Sequence, residues 1–201
     1  MVRLQRVMNN LVPDTNHPVR RLERSFFTRD TKLVAKGLLG KYLVCVSHGA
    51  ERVGRIVETE AYLGPRDLAS HSAKGLTRRT RVLFGAPGHA YIYMIYGMYY
   101  CLNIVTQEEG DATAALIRAI EPVKNIEGRT KGPGLVCKAM HIDLRLNGHD
   151  LIGDDFHVAA PAKAERFAIV TAKRIGVEYA KHWAKRRLRY YIRGNPFVSR
   201  R

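Results

Sequence analysis

YIYMIYGMYYCLNIV, residues 91–105, decides the architecture. Two runs of β-branched and aromatic residues meet at Gly97, which is the pattern of a β-hairpin turning on a glycine. Five tyrosines, Tyr91, Tyr93, Tyr96, Tyr99 and Tyr100, crowd this segment. An aromatic sheet face packed on the core is the plain expectation for Tyr91, Tyr99 and Tyr100. Tyr96 differs, because it adjoins the turn glycine, where burial is hardest to arrange. Alternation along a strand places Tyr93 on the face opposite Tyr96, so one hairpin presents two different aromatic surfaces.

Further strands flank the hairpin. Downstream, the polar turn EEGD leads into a strand over Ala112–Ile120, and GPG at 132–134 opens a helix that runs to Met140. Upstream, Tyr42–Val46 reads as a strand, SHGA as a turn and Arg52–Tyr62 as a longer strand pairing back. Before them, DTKLVAKGLLGK puts Leu33, Val34, Leu38 and Leu39 on one helical face, capped by Asp30 or Thr31 and stopped by Gly40. Residues 64–90, rich in Gly, Pro, Ser and Arg, read as a long surface crossing whose basic knot is Arg78, Arg79 and Arg81. Residues 164–192 mix strand-like and helical stretches whose order the pattern leaves open. Antiparallel hairpins with several packed helices give an α+β fold. At 201 residues the chain suffices for one core. Residues 26–201 are expected to form a single domain, and residues 1–25, with Arg20, Arg21 and Arg24, a basic flexible arm.

Lys and Arg number 34 against 18 Asp and Glu, a formal charge of +16 that points to a polyanionic partner. No run of about 18 apolar residues exists, and MVRLQRVMNN has no signal-peptide core, so nucleic acid is favoured over membrane. A ribosome-type basic surface would carry the same charge, so charge names a partner class and not a function. Cys45, Cys101 and Cys137 are odd in number and widely spaced in apolar segments, which fits a reducing compartment without a disulfide framework. With no CxxC, HExxH or close Cys/His cluster, neither a metal nor another cofactor is expected.

The chemistry concentrates in GRIVETEAYLGPRDLASHS, residues 54–72. In an extended chain Glu58, Glu60 and Tyr62 share one face. A strand glutamate is ordinarily a salt-bridge partner. A site that removes an extruded base nevertheless needs these types: aromatic and imidazole rings to stack on the base, and a carboxylate to deprotonate the attacking water. An exposed Tyr96 on a basic protein suits insertion between base pairs. Glu58 competes with Glu60 as the base.

At these residues the chain resembles the 3-methyladenine, or alkyladenine, DNA glycosylase family. The similarity runs from about Phe26 to Ser199 through 54–72, 91–105, LIRAIEP at 116–122 and RLRYYIRGNPFVS at 187–199. By position, the resemblance implies Glu60 as general base, Tyr62, His71 and Tyr93 as base-stacking residues, and Tyr96 as the residue inserted into DNA. Asn103 would crowd the 2-amino group of guanine. Arg118 and the backbone carbonyl of Ile175 would hold the attacking water, the main chain of His71 would read the purine edge, and Met98 would contact DNA beside Tyr96. Arg78, Arg79 and Arg81 are candidates for further DNA contacts. The chain departs from the family at Leu135, where a lysine is usual after GPG, and at Thr80 and Leu83, where Asn and Met are common. No tail is expected beyond RGNPFVSRR.

The implied activity is monofunctional excision of alkylated or deaminated purines (3-methyladenine, 7-methylguanine, hypoxanthine, ethenoadenine) from double-stranded DNA. A monomer would act without a cofactor, in the cytoplasm on the nucleoid of a bacterium or in a eukaryotic nucleus. A glycosylase-lyase using an amine nucleophile is the rival enzyme, although no lysine adjoins the motif. A non-catalytic nucleic-acid-binding module is the rival from another class.

Overall fold

A central strand with partners along both edges organises the molecule. The computed structural model describes residues 20–47 and 49–200. In chain order these form β1 (Arg20–Arg21), α1 (Arg24–Phe27), α2 (Thr31–Leu38), β2 (Tyr42–Ser47), β3 (Ala50–Tyr62), β4 (Ala90–Ile95), β5 (Tyr99–Thr106), β6 (Thr113–Lys124), α3 (Pro133–Met140), β7 (Phe156–Ala160), β8 (Ile169–Ala172) and β9 (Arg189–Ile192), with short 3₁₀ turns between them. All strand pairs are antiparallel, in the order β1-β7-β2-β3-β6-β5-β4, with β9 joining β3 to β8. The fold is α+β in a single domain.

β3 pairs with β2 along its first half and with β9 at Glu58–Glu60, while β6 runs along its other edge. Register shifts on either side of Glu58 mark an irregular, locally twisted stretch of β3. β6 is apolar enough to be buried on both faces: Ala114, Ala115, Leu116, Ile117, Ala119 and Ile120 are all buried. Helices α2 and α3 cover the sheet, joining Val34, Leu38, Val136 and Met140 to Ile56, Leu102, Ile117 and Phe156 in one core. The three cysteines are free and buried.

The structure settles some open expectations and corrects others. Asp30 caps α2, accepting from the N–H groups of Lys32 and Leu33, whereas Thr31 is buried and bonds to Thr106 and Gln107. The buried stripe is Thr31, Val34, Ala35 and Leu38. Leu33 lies off that stripe, at 56% exposure, because 100° per residue carries it to the opposite side of the helix. The segment 64–90 is not a purely surface crossing. It folds through 3₁₀ turns at His71–Lys74 and Arg81–Phe84, and Asp67, Ser70, Ser72, Thr80 and Leu83 are buried. Of the expected arm, residues 1–19 lie outside the described residues. Arg20 and Arg21 instead form β1 against β7, and Arg24 begins α1, reaching Asp150 Oδ2 and the Pro87 carbonyl at 2.7 Å each. The open region 164–192 resolves into β8, a kinked 3₁₀ segment Glu178–Lys185, and β9.

Gly40 closes α2 as expected and shows why a glycine is needed. Its φ of +76° is left-handed, its N–H donates to the Ile56 carbonyl at 2.8 Å, and a Cβ there would lie 2.7 Å from the Phe167 ring. Gly40→Ala is therefore expected to lower stability by about 1–3 kcal/mol. Urea unfolding followed by circular dichroism checks this, and an unchanged midpoint would refute it.

Candidate active site

The long strand β3 delivers Glu58, Glu60 and Tyr62 to the interior, where β6, β9 and the segment 173–177 surround them. Both carboxylates are fully buried. Glu58 has a charged donor: Oε1 accepts from Arg189 Nη1 and Oε2 from the Ser199 N–H, both at 2.7 Å. Glu60 is held differently. Its Oε2 accepts from the Tyr62 hydroxyl at 2.8 Å, and its Oε1 accepts from the Ile175 N–H at 3.0 Å. Arg118 lies between the two acids, with Nη1 3.5 Å from Glu60 and Nε 3.6 Å from Glu58, and donates from Nε to Ser199 Oγ at 3.2 Å.

Burial raises the pKa of Glu60 above the usual carboxylate range, opposed by Arg118, the Ile175 amide and the Tyr62 hydroxyl. Burial also raises Tyr62 well above an ordinary phenol, so its O–H stays protonated and donates. A carboxylate has about four lone-pair positions, and the two hydrogen bonds with the more distant Arg118 leave Glu60 room for one further donor. Its meeting with Ile175 is through the amide N–H.

Beside this cluster opens a cavity of about 390 Å³. Tyr62, His71, Tyr93, Asn103, Arg118, Ile175 and Tyr96 all line it, whereas Glu60 sits immediately behind its wall. His71, from the 3₁₀ turn after β3, packs on Tyr93 with ring centroids 4.4 Å apart, and its Nδ1 shares a 2.9 Å hydrogen bond with the Tyr91 hydroxyl. Burial, reinforced by Arg79 and Lys74, lowers the His71 pKa to about 4, so the imidazole is neutral at physiological pH. Asn103 is buried on β5 and donates from Nδ2 to the Tyr91 carbonyl at 3.3 Å.

The β4–β5 turn stands at the cavity rim. Met98 N–H donates to the Ile95 carbonyl, and both central residues, Tyr96 and Gly97, have positive φ, +51° and +67°. A tyrosine in this region carries strain, and its side chain is 88% exposed, with Met98 at 69%. Arg78, Arg79 and Arg81 are exposed. Arg79 reaches back to place its guanidinium 5.3 Å from the centre of the Tyr93 ring, which lines the cavity, although none of the three arginines lines it directly.

Sequence reasoning missed three residues here. Tyr179, exposed in the Glu178–Lys185 segment, lines the cavity, and no periodicity marks it. Asp67 and Arg174 form a fully buried ion pair behind Tyr62. The LGPRD turn was the available signal for Asp67, but Arg174 lies 107 residues away and carries none.

Comparison with known proteins agrees with the resemblance drawn from the motif blocks. The family model described as Methylpurine-DNA glycosylase (MPG) matches residues 25–196. A protein of Legionella pneumophila (strain Corby), named as a 3-methyladenine DNA glycosylase, is 58% identical over 182 residues, covering 90% of this chain and 100% of the relative. Relatives of the same name from Anaeromyxobacter sp. (strain Fw109-5) and Alkaliphilus oremlandii (strain OhILAs) are 51% and 45% identical, covering 90% of this chain and 93% and 100% of their own lengths. The chain belongs to the methylpurine-DNA glycosylase family.

Proposed function

We propose that this DNA glycosylase is a monofunctional 3-methyladenine-type enzyme that extrudes damaged purines from double-stranded DNA and hydrolyses their N-glycosidic bond with water activated by Glu60. The observation that carries the reading is Glu60 itself: a buried carboxylate with a raised pKa and one open acceptor position, directly behind an aromatic cavity. Glu58 fits the role less well, because a guanidinium at 2.7 Å already neutralises it, whereas the two close donors to Glu60 are neutral.

In this reading the purine enters between Tyr62 and the His71–Tyr93 pair. Stacking contributes roughly 1–3 kcal/mol per base. The neutral imidazole accepts a cationic alkylated purine without charge repulsion, and the electron-rich phenol rings attract it. Asn103 narrows the slot against the 2-amino group of guanine, and the His71 main chain reads the purine edge. Water binds at the free position of Glu60, with Arg118 and the Ile175 carbonyl as its other contacts. Glu60 takes the proton as the oxygen attacks the sugar carbon and the base leaves. Positive charge on an alkylated base lowers the barrier to its departure, so 3-methyladenine and 7-methylguanine need less assistance than hypoxanthine or ethenoadenine.

Tyr96 wedges into the duplex with Met98 beside it, and Arg78, Arg79 and Arg81 pair with phosphates. The protein acts as a monomer, without metal or cofactor, where the chromosome lies. Among the described residues no helix is long and apolar enough to cross a membrane.

Glu60→Gln is expected to lower single-turnover excision of hypoxanthine by about 100- to 10,000-fold while affinity for duplex DNA is kept. Excision at the wild-type rate would remove Glu60 from the mechanism. The base works only when ionised, so activity should fall as pH drops through the raised pKa of Glu60, placing the acid limb above the ordinary glutamate range. A limb at or below that range in the kcat/KM profile would contradict the reading. Arg78→Ala should reduce the slope of log affinity against log salt by about one, whereas Tyr96→Ala should weaken lesion-duplex binding with the slope unchanged. Fluorescence anisotropy across a salt series distinguishes the two.

A further inference from the structure

We propose that Asp67 and Arg174 are a positioning pair that holds Tyr62, His71 and the Ile175 amide in register around Glu60. The proposal rests on the assignment of Glu60 as the base.

Asp67 is fully buried, and its carboxylate gathers four N–H groups. Oδ2 accepts from the Leu63 amide at 3.1 Å and from Arg174 Nη1 at 2.5 Å. Oδ1 accepts from the Ala69 amide at 3.1 Å and from Arg174 Nη2 at 2.8 Å. Leu63 directly follows Tyr62, and Ala69 stands two residues before His71. One carboxylate therefore closes the loop between two rings proposed to enclose the base, and so sets their separation. Its own backbone adds to this closure: the Asp67 N–H donates to the Gly64 carbonyl, and its carbonyl accepts from Ser70.

Arg174 extends the constraint to the other side of Glu60. Nη1 also donates to the Ala61 carbonyl at 2.9 Å, and the guanidinium carbon sits over the Tyr62 ring, 4.7 Å from its centre. The next residue is Ile175, whose N–H donates to Glu60 Oε1. A single guanidinium thus touches the strand before Tyr62, the ring of Tyr62 and the loop turned by Asp67, and it belongs to the segment that brings an amide to the base. Neither Asp67 nor Arg174 lines the cavity, so both act through the residues they hold.

Stability alone is a weak reason for such a pair. Desolvating two charges offsets much of their attraction, and a hydrophobic replacement of similar volume is often at least as stable. The cost is visible here, because Arg174 Nε is buried with no hydrogen-bond partner. What a forked, four-donor carboxylate supplies that apolar packing lacks is a fixed geometry.

The test uses the full-length chain in three forms: Arg174→Lys, Asp67→Asn, and Asp67→Asn combined with Arg174→Gln. Lysine keeps a charge opposite Asp67 and so preserves folding, but it has neither the second arm of the fork nor a plane to lay on Tyr62. Folding is verified by circular dichroism, DNA binding with a duplex carrying a tetrahydrofuran abasic analogue, and catalysis by single-turnover excision of hypoxanthine across pH. Displacement of a reacting group by about 1 Å costs on the order of 100-fold, so excision should drop by that order while binding of the abasic duplex is retained. The acid limb should also move to higher pH, because Glu60 loses the Ile175 hydrogen bond that lowers its pKa. A folded Arg174→Lys protein that melts earlier, yet excises at the wild-type rate with an unmoved acid limb, would overturn the proposal and leave the pair a purely stabilising contact. Glu60→Gln in the same assay separates the two ideas: if it excises normally the base assignment fails, and if it is silent while Arg174→Lys is normal only the positioning pair fails.

Discussion

Two carboxylates buried on one strand govern how the rest of the chain is arranged. An ionised carboxylate taken from water into the interior is tolerated only with compensating donors, and otherwise it takes up a proton. Glu58 and Glu60 on β3 are both fully enclosed. Tyr62, two residues on, supplies one donor, and the rest come from far along the chain: Arg189 on β9, Ser199, Ile175 after β8 and Arg118 on β6. β9 pairs with β3 at these residues, Glu58 through Glu60, so the backbone ladder and the charge compensation reinforce one another.

The two acids are compensated unequally, and that inequality separates their chemistry. Glu58 has a guanidinium at 2.7 Å and a backbone amide at the same distance. Glu60 has neutral donors at short range, with Arg118 at 3.5 Å, so desolvation outweighs the stabilisation of its charged form. Adjacent positions on one strand face thus become a structural anchor and a proposed base. The anchor also serves the base, because Arg118 is drawn toward both acids and tied to Ser199.

Rigid and exposed elements divide the proposed work. Glu60, Tyr62 and Arg118 sit on β3 and β6, the long central pair, where backbone position is over-determined. The groups proposed to meet DNA sit on a turn with two positive-φ residues and on the exposed 78–81 segment. Arg79, stacked near Tyr93, is the direct link between them.

Local rules made much of this legible in the sequence. Alternation placed Glu58, Glu60 and Tyr62 on one face, Gly97 marked the hairpin, Asp30 and Gly40 bounded a helix, and the excess of basic residues named a polyanionic partner. The ordered blocks at 54–72 and 91–105 identified the family. Apart from the charge, which is summed over the whole chain, these signals depend on residues close together in sequence, the range over which backbone periodicity and turn chemistry operate. What lay beyond that range was decided by the tertiary structure. The segment 64–90 reads as surface until Asp67 meets an arginine 107 residues away. Glu58 and Glu60 are equivalent in the pattern of β3, and only their long-range partners tell them apart. A buried charge takes its character from whichever donors the whole fold brings to it, and no local pattern specifies those.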